Sequence, residues 1–425
     1  MSAATVRADA AVVGGGGAGL VLARRLAMAG RRVVLLEASD RLGGQVRRAD
    51  VAGVSVDVGA ESFATRGGVV AALATEIGLG GEIVAPVETP AWLYRGDGSA
   101  IALPATSLLG IPGVPLAADV IASIGLPAAM RAELDLALPA TLGARSTTLG
   151  ALVRRRMGAT VLESLVDPVV RGVHSTSADE LPLERAHPGL RNALLREGSL
   201  SHGVLSLRKG AAAGSQVGGI RGGMARLVDE LTADLELFGV DIRLGVPVDL
   251  GTIAPDSAGD AEGRVVLAAA PPSDAGHRVT VVVLAVEQPE LDAAPRGTGV
   301  LVAAGAPGVR ARALTHLTAK WEWLRERAGS LHLLRLSYDG HGLEDVVETA
   351  RRDASALLGV RLERVVDAAV ATWTRTASIS HAVDGMRRIG EAESGTGLAA
   401  VVAAAEREAE SLLDVGSTTP DTATD

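Results

Sequence analysis

Residues 12–44 read VVGGGGAGLVLARRLAMAGRRVVLLEASDRLGG, and the order of residue types in that stretch decides the fold. Ala10 to Val13 is a short apolar run of the kind a buried parallel strand needs. It enters the spacing Gly14-x-Gly16-x-x-Gly19. Gly14 permits a tight turn, Gly16 lets a pyrophosphate approach the backbone, and Gly19 lets a helix pack closely on the strand. Leu20, Leu22, Ala23, Leu26 and Ala27 then share a helical face, Gly30 stops the helix, and Val33 to Leu36 forms a second apolar run. The helix start offers unpaired N–H groups and a positive dipole end to phosphates. Glu37 follows the second run, where a carboxylate can accept hydrogen bonds from ribose hydroxyls and would repel a 2′-phosphate, which argues against NADP. The spacing alone also suits a flexible glycine turn. The strand–turn–helix–strand context and Glu37 favour a dinucleotide site.

Composition narrows the chemistry. The chain has 425 residues, 48% hydrophobic and 21% charged, which suits two or three domains. A net charge of −9 argues against a nucleic-acid binder with a broad basic face. Cysteine is absent, which excludes disulfides, redox thiols, iron–sulfur clusters and thiolate-held zinc. The eight histidines lack metal-ligand spacing, so no metal site is expected. Any redox chemistry must then be carried by an organic cofactor. Ser99 to Ala118 is uncharged, yet Pro104, Pro112 and Pro115 read it as a buried or pocket-lining loop and not a membrane span. Arg7 and Asp9 in the first ten residues argue against a signal peptide, and the expectation is a soluble, cytoplasmic protein.

Further along, Gly150 to Val170 reads as helical, and residues 218–231 open an amphipathic helix after a second glycine-rich entry. Residues 240–248 and 279–286 read as strands. Arg351 to Ala369 and Thr396 to Leu413 read as helices, with a disordered tail after residue 415.

The continuation EASDRLGGQ (37–45) separates FAD from NAD. With the stretch before it, it resembles the flavin-containing amine oxidase superfamily, in which Arg41, Gly43 and Gly44 would run beside FAD. DVGAESFATR (57–66), residues 154–181, APRGTGVLV (294–302), ALTHLTAKWEWL (313–324), LLRLSYDG (333–340), SISHAVDGM (378–386) and SGTGLAAVV (394–402) resemble protoporphyrinogen and coproporphyrinogen oxidases of the soluble Gram-positive type.

That resemblance implies an α/β fold, α+β overall. A discontinuous Rossmann-like FAD-binding domain (1–90, 206–275, 366–415) would carry a helical and substrate-binding region at 91–205 and a second substrate-binding part at 276–365. It implies oxidation of coproporphyrinogen III to coproporphyrin III in three two-electron steps, with molecular oxygen as acceptor and hydrogen peroxide as product. Carried over by position, Gly14, Gly15, Gly16, Gly17, Ala18, Gly19, Glu37, Ala38, Arg41, Gly43, Gly44, Gly59, Ala60, Glu61 and Ser62 would contact FAD. Val248 would touch its adenine end, and Gly395, Thr396 and Gly397 would face the flavin ring, with Trp373 nearby. A substrate with four carboxylates needs local cations, for which Arg66, Arg171 and Lys320 are candidates. His174, His316 and His381 read as structural histidines. The resemblance assigns no catalytic residue, and another haem-pathway enzyme is a candidate partner. Alternatives are a protoporphyrinogen IX oxidase, another flavin amine oxidase or desaturase, and an impaired FAD-binding relative. Two departures motivate the last: residues 387–393 hold too few apolar residues for a buried strand, and residues 264–286 join two strand-like runs directly.

Overall fold

The computed structural model describes residues 8–65, 67–174, 176–208, 217–248, 265–267, 277–340, 344–375, 387–395 and 397–415. The opening motif folds as its pattern demands. Ala10–Val13 and Val33–Leu36 are parallel neighbours in register Ala10 to Val33, with helix Gly17–Met28 crossing between them. Asp241–Arg243 adds beside the second strand, and Val265–Leu267 and then Arg387–Arg388 extend the other side, giving a five-stranded parallel sheet. Side chains alternate across it. Ala10, Val12, Val33 and Leu35 enter the main core, whereas Ala11 and Val34 face a small cluster on the other side.

Three helices cover the main face: Gly17–Met28, Ala225–Leu237 and Leu398–Val415. Leu20, Leu22, Leu26, Leu231, Leu235, Val402 and Ala405 meet there with almost no exposure. Each leucine so buried contributes roughly 2 kcal/mol. Arg24, only 4% exposed, reaches Asp234 at 2.6 Å, and Arg25 reaches Glu406 at 2.6 Å, so charge pairing holds all three helices in one arrangement.

The second sheet has seven strands in the order Val365–Arg375, His277–Val286, His332–Asp339, Ala313–His316, Gly299–Val302, Trp92–Tyr94 and Ala100–Ala102. All its pairings are antiparallel except that of Gly299–Val302 with Trp92–Tyr94. Val282, Leu284, Leu334, Leu336 and Leu314 pack on helix Val346–Leu358. On the opposite face Val283, Ala285 and Leu333 pack against Val51, Val54, Val56 and Leu324, and the rest of that face borders a cavity. Between residues 118 and 208 lies a helical region with its own apolar core. There Arg156 and Asp135 form a fully buried pair at 2.5 Å, and Asp135 also accepts from Ser201 N at 2.7 Å and Ser201 Oγ at 2.8 Å. That full satisfaction is what makes a buried pair tolerable.

Four expectations change. Arg351 to Ala369 is not one helix: helix Val346–Leu358 ends at Gly359 in the left-handed region (φ 68°), and the Val-rich segment beyond becomes strand Val365–Arg375. That strand pairs with His277–Val286 along its length. In 240–248 only Asp241–Arg243 is strand, because the chain turns at Gly245. Gly150 to Val170 breaks at Gly158 into helix Leu149–Met157 and a second helical stretch with a π turn, Leu162–Val166. Finally, 387–393 does supply a strand, the two-residue Arg387–Arg388. It lies half-buried at the sheet edge, where polar residues are accommodated, and Ile389 and Gly390 beyond it are buried. Ser99 to Ala118 contains three short strands, and none of its residues lines the main cavity. Among the described residues no helix is long and apolar enough to cross a membrane. The tail after 415 and the segment 268–276, where the two strand-like runs join, lie outside the described residues.

Candidate active site

The glycine turn is built by backbone approach. Gly14 sits at φ 107°, a region costly for any residue with a Cβ. Gly16 is extended and caps helix Gly17–Met28 without any side chain. The 38–45 loop then folds onto the turn. Gly43 N donates to Gly15 O at 2.8 Å, and a Cβ on Gly44 would lie 3.2 Å from Gly16 Cα. A Cβ on Gly16 itself would meet nothing within 4 Å, so that side of the turn is open. Glu37 is held in place by accepting from Gly15 N at 2.6 Å, Ser39 N at 2.8 Å and Ser39 Oγ at 2.7 Å.

The open side faces a cavity of about 710 Å³, within the range of small-molecule and cofactor sites. One wall comes from the parallel-sheet half: Gly14, Gly16, Gly17, Ala18, Glu37, Gly43 to Val46, Gly59 to Ala64, Gly390 to Ala392, Gly397, Leu398 and Val401. The other is the part of the seven-stranded sheet's opposite face that the hairpin Arg48–Asp57 leaves uncovered, where period-two alternation selects its members. Val281, Ser337, Ala313 and Leu301 are successive cross-strand neighbours, with Val279 beside Trp373 and Thr315 beside Arg335. Gly172 and Val173 of helix Asp167–His174 close one side.

The charges of the second wall are positive. Lys320 pairs with Glu61 at 2.5 Å and lies over the Trp321 ring, Arg335 donates to Gly59 O at 2.8 Å, and Arg312 meets Asp339 at 2.8 Å. Burial pushes the Glu61 carboxyl up, but Lys320 and Arg335 outweigh it and hold Glu61 below the usual range. Asp57 goes the other way. Burial raises it to about 7 despite hydrogen bonds from Met224 N at 2.8 Å and Ala225 N at 3.3 Å. His316 and His332 share a buried hydrogen bond of 3.1 Å, and burial lowers His316 to about 3, so it is a neutral structural residue at ordinary pH.

The expected site residues divide cleanly. Gly14, Gly16, Gly17, Ala18, Glu37, Gly43, Gly44, Gly59, Ala60, Glu61, Ser62, Lys320, Trp373 and Gly397 all line the cavity, although 383 positions separate the first from the last. Gly15, Gly19, Ala38, Arg41, Val248 and Gly395 do not line it. Gly19 is buried against the core, and Arg41 clamps its own loop by donating to Leu42 O and Gly44 O. Arg171 is also absent from the lining, and its Nε meets Asp167 at 2.6 Å. Arg66, Thr396 and His381 lie outside the described residues. Sequence reasoning missed Gln45, Arg312, Arg335, Ser337 and Glu391, which all line the cavity. The i, i+2 spacing of Arg335 and Ser337 is the signal that could have found that pair.

A family model for flavin-containing amine oxidoreductases matches residues 18–304. The coproporphyrinogen III oxidase of Mycobacterium tuberculosis (strain H37Rv) is 30% identical over 393 residues, covering 85% of each chain. That of Mycobacterium leprae is 31% identical over 367 residues, covering 80% of this chain and 79% of its own.

The chain belongs to the flavin-containing amine oxidoreductase family.

It is accordingly an FAD-dependent oxidoreductase. Its fold is shared with a solved Exiguobacterium structure assigned provisionally as a protoporphyrinogen oxidase, at TM-score 0.77 and 23% identity over 95% of this chain and 98% of the other. Cyclohexylamine oxidase of Brevibacterium oxydans aligns at TM-score 0.59 and 16% identity, over 96% and 100%. The residues present fit a bound FAD. Gly16 leaves open the approach that a pyrophosphate needs, a helix N-terminus stands beside it, and the cavity runs on to a second helix start at Leu398. In this flavoprotein the two walls thus differ in kind: backbone and glycine on one side, apolar side chains and cations on the other.

Proposed function

We propose that the protein oxidises coproporphyrinogen III to coproporphyrin III in haem biosynthesis, with molecular oxygen as acceptor and hydrogen peroxide as product. The observation that carries this reading is one cavity that joins the cofactor turn to an apolar wall bearing Arg312, Lys320 and Arg335. A flat macrocycle with carboxylate arms suits such a wall, because its ring removes apolar surface from water while cations meet its charges. The relatives named coproporphyrinogen III oxidase support it, matching most of both chains.

In this reading Gly14, Gly16, Gly17 and Ala18 would hold the pyrophosphate, Glu37 the ribose hydroxyls, and Gly59 to Ser62 the middle of the cofactor. Gly397 and the start of helix Leu398–Val415 would face the flavin ring, where the helix dipole favours negative charge. Bound FAD supplies the two-electron acceptor. The chain supplies orientation, exclusion of water and counter-charge, with Trp373 and Leu301 packing the substrate and Lys320 giving it a cation. No side-chain base is required of this wall, and no histidine lines the cavity among the described residues.

The test is to record the visible spectrum of the purified protein and add coproporphyrinogen III in air while following porphyrin fluorescence. Flavin absorbance and a fluorescence rise faster than autoxidation are expected. Flavin without that rise would sink the substrate assignment and leave an FAD-binding relative.

A further inference from the structure

Asp57 and Glu61 lie four residues apart where the hairpin Arg48–Asp57 ends, and both border a second chamber of about 10 Å³. That is room for one water. The chamber's other walls include Ile220, Leu317, Trp321 and Trp323. Trp321 Nε1 donates to Glu61 at 3.2 Å. Trp323 is 7% exposed, and its Nε1 finds no acceptor among the described residues. A buried donor of that kind calls for a partner. Glu61 lines both this chamber and the main cavity.

We propose that a water molecule occupies the chamber, accepts a hydrogen bond from Trp323 Nε1, and links Asp57 to Glu61 as a proton-exchanging pair that opens on the active-site cavity through Glu61. Three polar groups meet the need of a buried water for two to four partners. The charges facing the pair are Lys320 on Glu61 and Arg335 beside both carboxyls, while Met224 N and Ala225 N donate to Asp57. The two carboxyls are driven apart, Asp57 upward by burial and Glu61 downward by its cations. Of the two, Asp57 is therefore the carboxyl that takes up a proton as pH falls through about 7.

The use of such a store rests on the oxidase reading. The substrate loses two hydrogens, one as hydride and one as proton, and oxygen takes up two electrons and two protons to become hydrogen peroxide. The proton set free by the substrate is the one needed later. The Asp57–water–Glu61 link would hold it between the two halves without exchange with bulk water.

Two measurements on the FAD-loaded protein test the link without turnover, so a protein that fails the porphyrinogen assay can still pass here. In a high-resolution crystal structure, an ordered water within hydrogen-bond distance of Trp323 Nε1 and of one carboxyl is expected. A chamber without that density overturns the proposal. In an infrared titration, a protonated carboxyl band should disappear as pH rises through about 7 and be missing in Asp57→Asn. Trp323→Phe should move its midpoint upward by about half a unit or more, because the ionised carboxylate loses a donor relayed through the water. A band that survives Asp57→Asn, or ignores Trp323→Phe, overturns it. Should Asp57→Asn fail to fold, the wild-type density and Trp323→Phe still decide.

Discussion

The two walls of the cavity are made by opposite strategies. On the parallel-sheet side, main chain approaches main chain. Gly43 bonds to Gly15, Gly44 would crowd Gly16 if it carried a Cβ, and Gly59 lies so close to Gln45 that a Cβ would fall 1.9 Å from its carbonyl oxygen. On the seven-stranded side, backbones stay at sheet spacing and side chains from separate strands make the surface. The first strategy tolerates little, because a backbone cannot repack. The second tolerates more, because a neighbouring rotamer can move. A wall of glycines should therefore fail abruptly and a wall of side chains by degrees.

The sharpest way to break that contrast is Gly59→Ala. Its methyl would strike Gln45 O and crowd Arg47 N, both backbone atoms, so a loss of about 4 kcal/mol or more is expected, with little soluble protein. Denaturant unfolding checks it, and a near-wild-type midpoint would show that the backbone wall can yield. Next in size is Lys320→Met, which leaves the largely buried Glu61 carboxylate, 12% exposed, without its closest cation and should cost about 2 kcal/mol. Adding Glu61→Gln should restore part of that loss, so the double mutant is less destabilised than the sum of the singles. Additive losses would deny the coupling. The smallest expected effect on stability is Gly16→Val. Its backbone is extended and its Cβ space open, so the apoprotein should melt as wild type does. FAD should nevertheless bind about a hundredfold more weakly, roughly 2.7 kcal/mol, because the side chain stands where the pyrophosphate must come. Flavin titration and calorimetry together separate this from Gly59→Ala. Undiminished FAD binding would remove Gly16 from the cofactor's path.

The same contrast governs what could be read in the chain beforehand. Gly14, Gly16, Glu37 and Gly44 fall within thirty-one consecutive residues, the glycines marking close backbone approach and Glu37 a carboxylate at a strand end. Arg335, Ser337 and Arg312 carry no such mark, since a charged residue beside apolar ones in a strand suits many surfaces. Lys320 shows what position alone leaves out. It lines the cavity, as a substrate cation must, and it is also paired with Glu61 from 259 residues away. Arg171, in an equally family-like string, pairs with Asp167 one turn earlier instead. The strand Val365–Arg375 is hard to see in the sequence because Arg351 to Leu358 begins a good helical face, and only the left-handed Gly359 cap ends it.

By itself, then, the chain determined the nucleotide-binding turn, the absence of thiol chemistry, and the family likeness, because each depends on residue type at short range. Tertiary structure alone decided which cations face the cavity, that Arg387–Arg388 could serve as an edge strand, and that Asp57 and Glu61 share a chamber with Trp323. Those outcomes depend on sheet register and helix packing between segments hundreds of residues apart, where many pairings satisfy local propensity and only burial of the whole core selects one.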